Sequence, residues 1–238
     1  MIGDFEQNQG WAKRLFLGQV APHLLSHLSG TIHAIEGDDH PICQLLDRTG
    51  GLDYLHKSPC GLLRGIANRV QSGDRNWATF TIRKKRMSGA RTEYEKRTAA
   101  IAANALYPFF TVHSYFDYHD RLLGYAVART DQIFQAIRQG RCSERQTGSC
   151  QIGQATFLYV SWRDLILGGT PIIMYDQTKG VTIIRSKKGV KEYQDNLTDE
   201  LTDNLTDEEL NEGFSHTIDG VSADGVLIDG VSAEGEDK

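Results

Sequence analysis

The sequence predicts a mixed α/β (or α+β) domain with one main sheet flanked by helices, followed by an acidic tail. Three observations carry this expectation. Segments with apolar residues at helical spacing interleave with short alternating runs bounded by Gly, Pro, Asn and Asp. The 238 residues are enough for one large core. Charge also divides the chain. Residues 190–238 hold 15 of the 31 acidic residues and only 2 of the 26 basic ones. The remainder carries 16 acids and 24 bases, a net of +8 that the overall −5 conceals. The expected division is therefore a basic domain, 1–189, and a low-complexity tail, 190–238.

Residues 4–28 carry Phe5, Trp11, Leu15, Phe16 and Val20 at helical spacing, with Pro22 expected to kink or restart the helix. Thr31 to Gly37 reads as a short extended piece. Ile42 to Asp47 and Leu52 to His56 read as strands of a hairpin, because Gly50 and Gly51 can both take positive φ. Leu63 to Gln71 is the next strand, with Ala67, Arg69 and Gln71 on one face and Ile66, Asn68 and Val70 on the other. Trp77 to Arg83 is another, leading into Lys84, Lys85 and Arg86.

Thr92-Glu93-Tyr94-Glu95 fits a capping box, so a helix starts there and ends before Pro108. Phe109 to Phe116 and Arg121 to Ala128 form a hairpin pattern. Thr130 is placed to cap a short helix closed by Gly140. Arg141 to Gly153 is polar and reads as a loop. Ala155 to Trp162 is a strand, Arg163 to Leu167 a short helix, and Pro171 to Tyr175 with Val181 to Arg185 a closing hairpin. In the tail, Leu-Thr-Asp recurs at 197–199, 201–203 and 205–207, and Ile-Asp-Gly-Val-Ser-Ala at 218–223 and 228–233. Such acidic repeats predict disorder.

Composition narrows the function classes. Cys43, Cys60, Cys142 and Cys150 show no paired CxxC spacing, which disfavours zinc and a disulfide framework. No phosphate-loop glycine motif and no Gly-x-Ser-x-Gly elbow is present. Glu93-x-Glu95 also occurs in ADP-ribosyltransferases, but the rest of that pattern is out of order. No segment approaches about 20 apolar residues, and no signal-like run opens the chain, so a soluble cytoplasmic protein with no membrane partner is expected. Residues 64–97 hold ten bases and three acids, most of the excess of the basic domain. That footprint points to a polyanion, DNA first among them, with Arg69, Arg83, Lys84, Lys85, Arg86 and Arg91 as phosphate contacts. The acidic tail would compete intramolecularly for the same surface. Nothing in the sequence chooses between monomer and homodimer.

The order of a helix, Asp53 in Gly51-Leu52-Asp53, and a strand bearing Arg69-Val70-Gln71 before a further helix resembles the PD-(D/E)XK nuclease superfamily, with its restriction-endonuclease-like fold. The resemblance implies a Mg²⁺- or Mn²⁺-dependent endonuclease. Asp53 would bind the metal, Gln71 would orient water, and an acid would stand where this chain has Arg69. An arginine there repels a divalent ion. Asp47, returned by the expected hairpin, is the best substitute ligand, and Glu36 and Glu6 come next. The alternative is a non-catalytic nucleic-acid-binding protein on the same fold. For Asp53 alone, a turn aspartate satisfying backbone amides is the simpler role.

Overall fold

A computed structural model describes residues 2–35, 38–86, 88–147, 155–177, 181–186 and 189–194, with side chains described from Gln9 to Gln177 within those ranges. The acidic tail beyond Gln194, Cys150, Glu36 and the Glu6 side chain lie outside the described residues.

The elements are α1 Ile2–Leu15, α2 Ala21–Leu28, β1 Thr31–Ala34, α3 Pro41–Leu45, β2 Tyr54–Lys57, β3 Leu63–Ser72, β4 Thr79–Arg86, α4 Glu93–Ala102, β5 Phe110–Phe116, β6 Leu122–Arg129, α5 Thr130–Arg138, β7 Ser143–Thr147, β8 Ala155–Ser161, α6 Trp162–Leu167, β9 Ile172–Asp176, β10 Val181–Ser186 and β11 Gly189–Gln194. The main sheet is mixed and runs β1-β2-β3-β5-β6-β9-β10-β11. β1, β2 and β3 are antiparallel neighbours, and β5 lies parallel to β3 after a crossover through β4 and α4. No described helix is long and apolar enough to cross a membrane.

Alternation along β5 and β6 gives the sheet two apolar faces. Phe110, Val112, Phe116, Tyr125 and Val127 pack under Leu15, Phe16, Val20 and Leu24 of the N-terminal helices. Tyr115, Ala126 and Ala128 pack on the other side against Phe80, Ile82, Phe134, Val160 and Trp162. The N-terminal helices are joined by a π-helical turn, Phe16–Val20, where the Ala21 amide reaches back to the Phe16 carbonyl. This turn falls just before Pro22, whose missing N–H and bulky ring disfavour an unbroken α-helical ladder.

Several expectations are corrected. Ile42 to Asp47 is helical rather than extended. Pro41 stands at the first helical positions and His40 Nδ1 accepts the Ile42 amide, so a proline and a cap start a helix there. A π-helical turn, Leu46–Gly50, follows, and Gly51 ends it at φ 62° with its amide on the Asp47 carbonyl. The two glycines terminate a helix instead of turning a hairpin. β4 does not join the main sheet. It pairs with β8, which pairs with β7, in a second, three-stranded sheet laid over one face. β7 occupies part of the expected 141–153 loop, and the rest of that loop lies largely outside the described residues. Thr130 is the first residue of α5 rather than its cap, because its hydroxyl is taken by Thr111 at 2.8 Å. β11 pairs with β10 and carries the main sheet past residue 189.

Candidate functional site

A cleft of about 280 Å³ opens between the main sheet and the crossover that covers it. Its floor comes from β3 and β5 and its wall from β4, α4 and the segment joining them. Leu52, buried against Gly65 of β3, anchors the chain ahead of β2. A Cβ at Gly65 would stand 2.6 Å from Leu52 Cδ2, so a larger residue there would displace the buried Leu52 side chain. The anchored chain brings Asp53 to the cleft, with its amide on the Ile66 carbonyl (2.9 Å). Asp53 Oδ2 accepts the Asn68 amide at 2.6 Å. Tyr54 pairs with Ile66, so Asp53, one step earlier, stands opposite Ala67. The face of β3 that looks into the cleft therefore offers Ala67 and Arg69.

Arg69 is held from three sides. Its Nη1 donates to the Thr81 carbonyl (3.2 Å), lies 3.7 Å from Glu93 Oε2, and its guanidinium sits 5.2 Å from the Phe157 ring centre. Burial pulls the Arg69 pKa down, and the Glu93 carboxylate opposes that shift. Glu93 is the first residue of α4. The capping box sets it there: Thr92 Oγ1 accepts the Glu95 amide and Glu95 Oε2 accepts the Thr92 amide at 2.7 Å. One turn on, Arg97 is nearly buried, with Nη1 2.6 Å from Glu93 Oε1 and 3.4 Å from Thr111 Oγ1. Arg86, Arg91 and Lys96 complete the cationic lining. Arg86 donates to the Ala90 and Arg91 carbonyls, whereas Arg91 and Lys96 are exposed and form no ion pair among the described residues.

His113 of β5 lies beside Arg69 in register and is 1% exposed. Its Nδ1 accepts the Thr81 amide at 3.2 Å, and its ring stacks on Tyr115. Burial first, then the Arg69 charge, holds its pKa well below the ordinary imidazole value, so the ring is neutral. With Nδ1 accepting, the proton sits on Nε2, which is sealed from solvent, and a backbone hydrogen bond with Thr79 partly opposes the downward shift.

The predicted site residues are distributed unevenly. Asp53, Arg69, Arg86 and Arg91 come together in the cleft. Asp47 does not. It is exposed on the π-helical turn and lines a separate groove with Asp38, Asp39, Gln44 and Arg48. Gln71 follows Arg69 by two residues on β3 and lies outside the cleft lining. Lys84 points to the second sheet, 2.5 Å from Glu144 of β7. Arg83 lies over Phe157 at 5.5 Å, and Lys85 is exposed beyond a bulge in β4. Sequence reasoning does not single out Lys96, Arg97, Thr81 or His113. For Glu93 and Arg97 a signal exists in their i, i+4 spacing at a helix start.

Five cationic side chains and two carboxylates line the cleft. Among the described residues, no group of three or more His, Cys, Asp or Glu side chains is placed to hold a metal ion. Asp53 already accepts a backbone amide, and Glu93 is neutralised between two arginines. With five cations against two carboxylates, this lining disfavours a divalent cation, which needs several anionic oxygens. It does fit an anion with several oxygens, such as a phosphate. Compared with family models, with curated proteins and with solved structures, the chain finds no match.

Proposed function

We propose that this chain binds nucleic acid, DNA in the first instance, and holds backbone phosphate in the cationic cleft without a resident metal. The observation that carries the proposal is the cleft face of β3. Ala67 stands opposite Asp53, Arg69 follows it, and Arg86, Arg91, Lys96 and Arg97 surround them. Guanidinium and ammonium groups on a concave, partly buried surface bind phosphate oxygens by charge-assisted hydrogen bonds. The order of an N-terminal helix pair, three antiparallel strands, a helical crossover and a parallel fourth strand supports the restriction-endonuclease-like resemblance. On that fold the chain is a non-catalytic binder.

A metal-dependent nuclease is the second reading, favoured by one observation: Asp53 and Glu93 share the cleft. Fluorescence anisotropy of labelled single-stranded and duplex DNA, with the full chain, in EDTA and in Mg²⁺, separates the two. Binding that is unchanged by EDTA and weakens steeply with salt is the expected result. Binding that requires Mg²⁺, or metal-dependent shortening of the DNA, supports the nuclease. No binding to either form overturns the nucleic-acid proposal.

A further inference from the structure

The cleft changes character along α4. Glu93, Lys96, Arg97 and Ala100 recur at helical spacing and line one wall. At the helix start the lining is cationic. Arg69 lies beside Glu93, and Arg86 donates to the Ala90 and Arg91 carbonyls just ahead of the Thr92 cap. At the helix end the lining is uncharged: Ala100, then Leu106 and Tyr107 from the chain that follows, against Gly50 and Gly51. A Cβ at Gly50 would stand 3.0 Å from Leu106 Cγ, so a larger residue there would push on Leu106. This end is open. Leu106 is 47% exposed, and the space a Cβ would take at Gly51 is empty to 4 Å. Glu93 and Ala100 are seven residues apart, about 10 Å along the helix axis.

We propose, resting on the nucleic-acid reading above, that the uncharged end seats one unpaired base of a single strand while that nucleotide's phosphate lies on Arg69, Arg86 and Arg91. A nucleotide has the polarity of the cleft, an anionic phosphate at one end and a flat base at the other. It also spans a length comparable to that between the two ends. At about 280 Å³ the cleft stands at the small end of ligand pockets, which begin near about 300 Å³, so it takes one such unit. The faces of a base are covered by apolar and aromatic side chains, the types that Leu106 and Tyr107 supply. Lys96, exposed between the two ends, faces the sugar-phosphate. A base in a duplex is stacked and paired and must be turned out before it reaches such a recess, whereas a single strand offers it directly. Glu93 accompanies the phosphate end as a counter-ion: it lies 2.6 Å from Arg97 but 3.7 Å from Arg69, so Arg69 is the looser partner and the one a phosphate would take.

The test titrates the full chain, in EDTA, with three end-labelled DNAs of equal length: a single strand, an abasic strand that keeps every phosphate but carries no base, and the duplex. The base-bearing single strand is expected to bind about tenfold tighter than the abasic strand, a factor worth roughly 1.4 kcal/mol, and tighter than the duplex. Two variants locate the effect. Leu106→Ala removes apolar surface at an exposed position, and Ala100→Leu fills the seat with a good helix former. Each is expected to narrow the ratio between base-bearing and abasic strands to about threefold or less, with the fold checked by circular dichroism. Abasic binding as tight as base-bearing binding, or a preference for duplex, overturns this inference and leaves the phosphate-binding reading standing. A ratio that keeps its full size in both variants overturns it as well, because the base is then read elsewhere. No binding of any of the three DNAs overturns both readings.

Discussion

Arg69 and His113 hold the two polar ends of one residue. Arg69 Nη1 donates to the Thr81 carbonyl and His113 Nδ1 accepts the Thr81 amide, each at 3.2 Å. Arg69 and His113 belong to the main sheet and Thr81 to the second sheet. The pair therefore fastens the two sheets at the point where the cleft opens, so two side chains that line the cleft also position the wall above them.

This arrangement makes stability depend on pH. His113 and His56 are both held below the ordinary imidazole value, chiefly by burial. The unfolded chain therefore takes up these protons first as pH falls below about 6.5. Their contribution is fully present above that pH and declines below it, by up to about 1.4 kcal/mol per pH unit for each histidine, until the folded-state values are crossed. Denaturant melts at pH 7.5, 6.5 and 5.5 are expected to show this fall, with a shallower slope in His113→Asn. A flat profile between pH 7.5 and 5.5 would contradict the neutral, buried assignment of His113.

Glu93 is expected to act as a competitor for Arg69. Glu93→Gln keeps the shape and removes the charge. It should raise affinity for DNA at low salt about threefold to tenfold, the effect of roughly 1 kcal/mol. It should also lower stability by about 1–3 kcal/mol, because the nearly buried Arg97 loses its charged partner at 2.6 Å. A loss of affinity, with the fold intact by circular dichroism, would mean that Glu93 contacts the ligand or a metal instead.

Asp53→Asn retains an oxygen for the Asn68 amide, so the turn before β2 should survive. Binding measured in EDTA is expected to be unchanged within about twofold, or slightly stronger, since one carboxylate leaves a cationic cleft. Cleavage by the wild-type chain in Mg²⁺ or Mn²⁺ that disappears in Asp53→Asn would reverse the order of the two functional readings.

Much of the local structure is legible because it is written in short-range chemistry. The capping box at Thr92 and Glu95, the paired strands on either side of the Tyr118-His119-Asp120 turn, and the proline after the N-terminal helical turns all depend on neighbours in sequence. The Gly50-Gly51 pair misleads because positive φ serves a helix end as readily as a hairpin. β4 shows the limit of alternation: Phe80 and Ile82 say that one face is buried, not which sheet buries it, and its partner β8 is about 75 residues away in the chain. β7, Ser-Glu-Arg-Gln-Thr, is a wholly polar edge strand with no sequence signature. Within the site, charge density marks Arg69, Arg86 and Arg91. His113 stays hidden because its role comes from a cross-sheet bond to Thr81, which the pattern of β5 does not encode.

The cleft, rather than the basic run as a whole, is the claimed seat of the phosphates, and salt dependence tests this most directly. Log Kd for DNA is measured against log salt for wild type, Arg91→Ala/Lys96→Ala and Lys84→Ala/Lys85→Ala, all at exposed or partly exposed positions. Removing one cation that pairs with a phosphate lowers the slope by about 0.7 to 0.9. The cleft pair is therefore expected to reduce it by roughly 1.4 to 1.8. The loop pair should leave it unchanged, because Lys84 is engaged with Glu144 and neither lysine lines the cleft. A slope that falls in the loop pair and stays constant in the cleft pair would contradict the cleft as the phosphate seat.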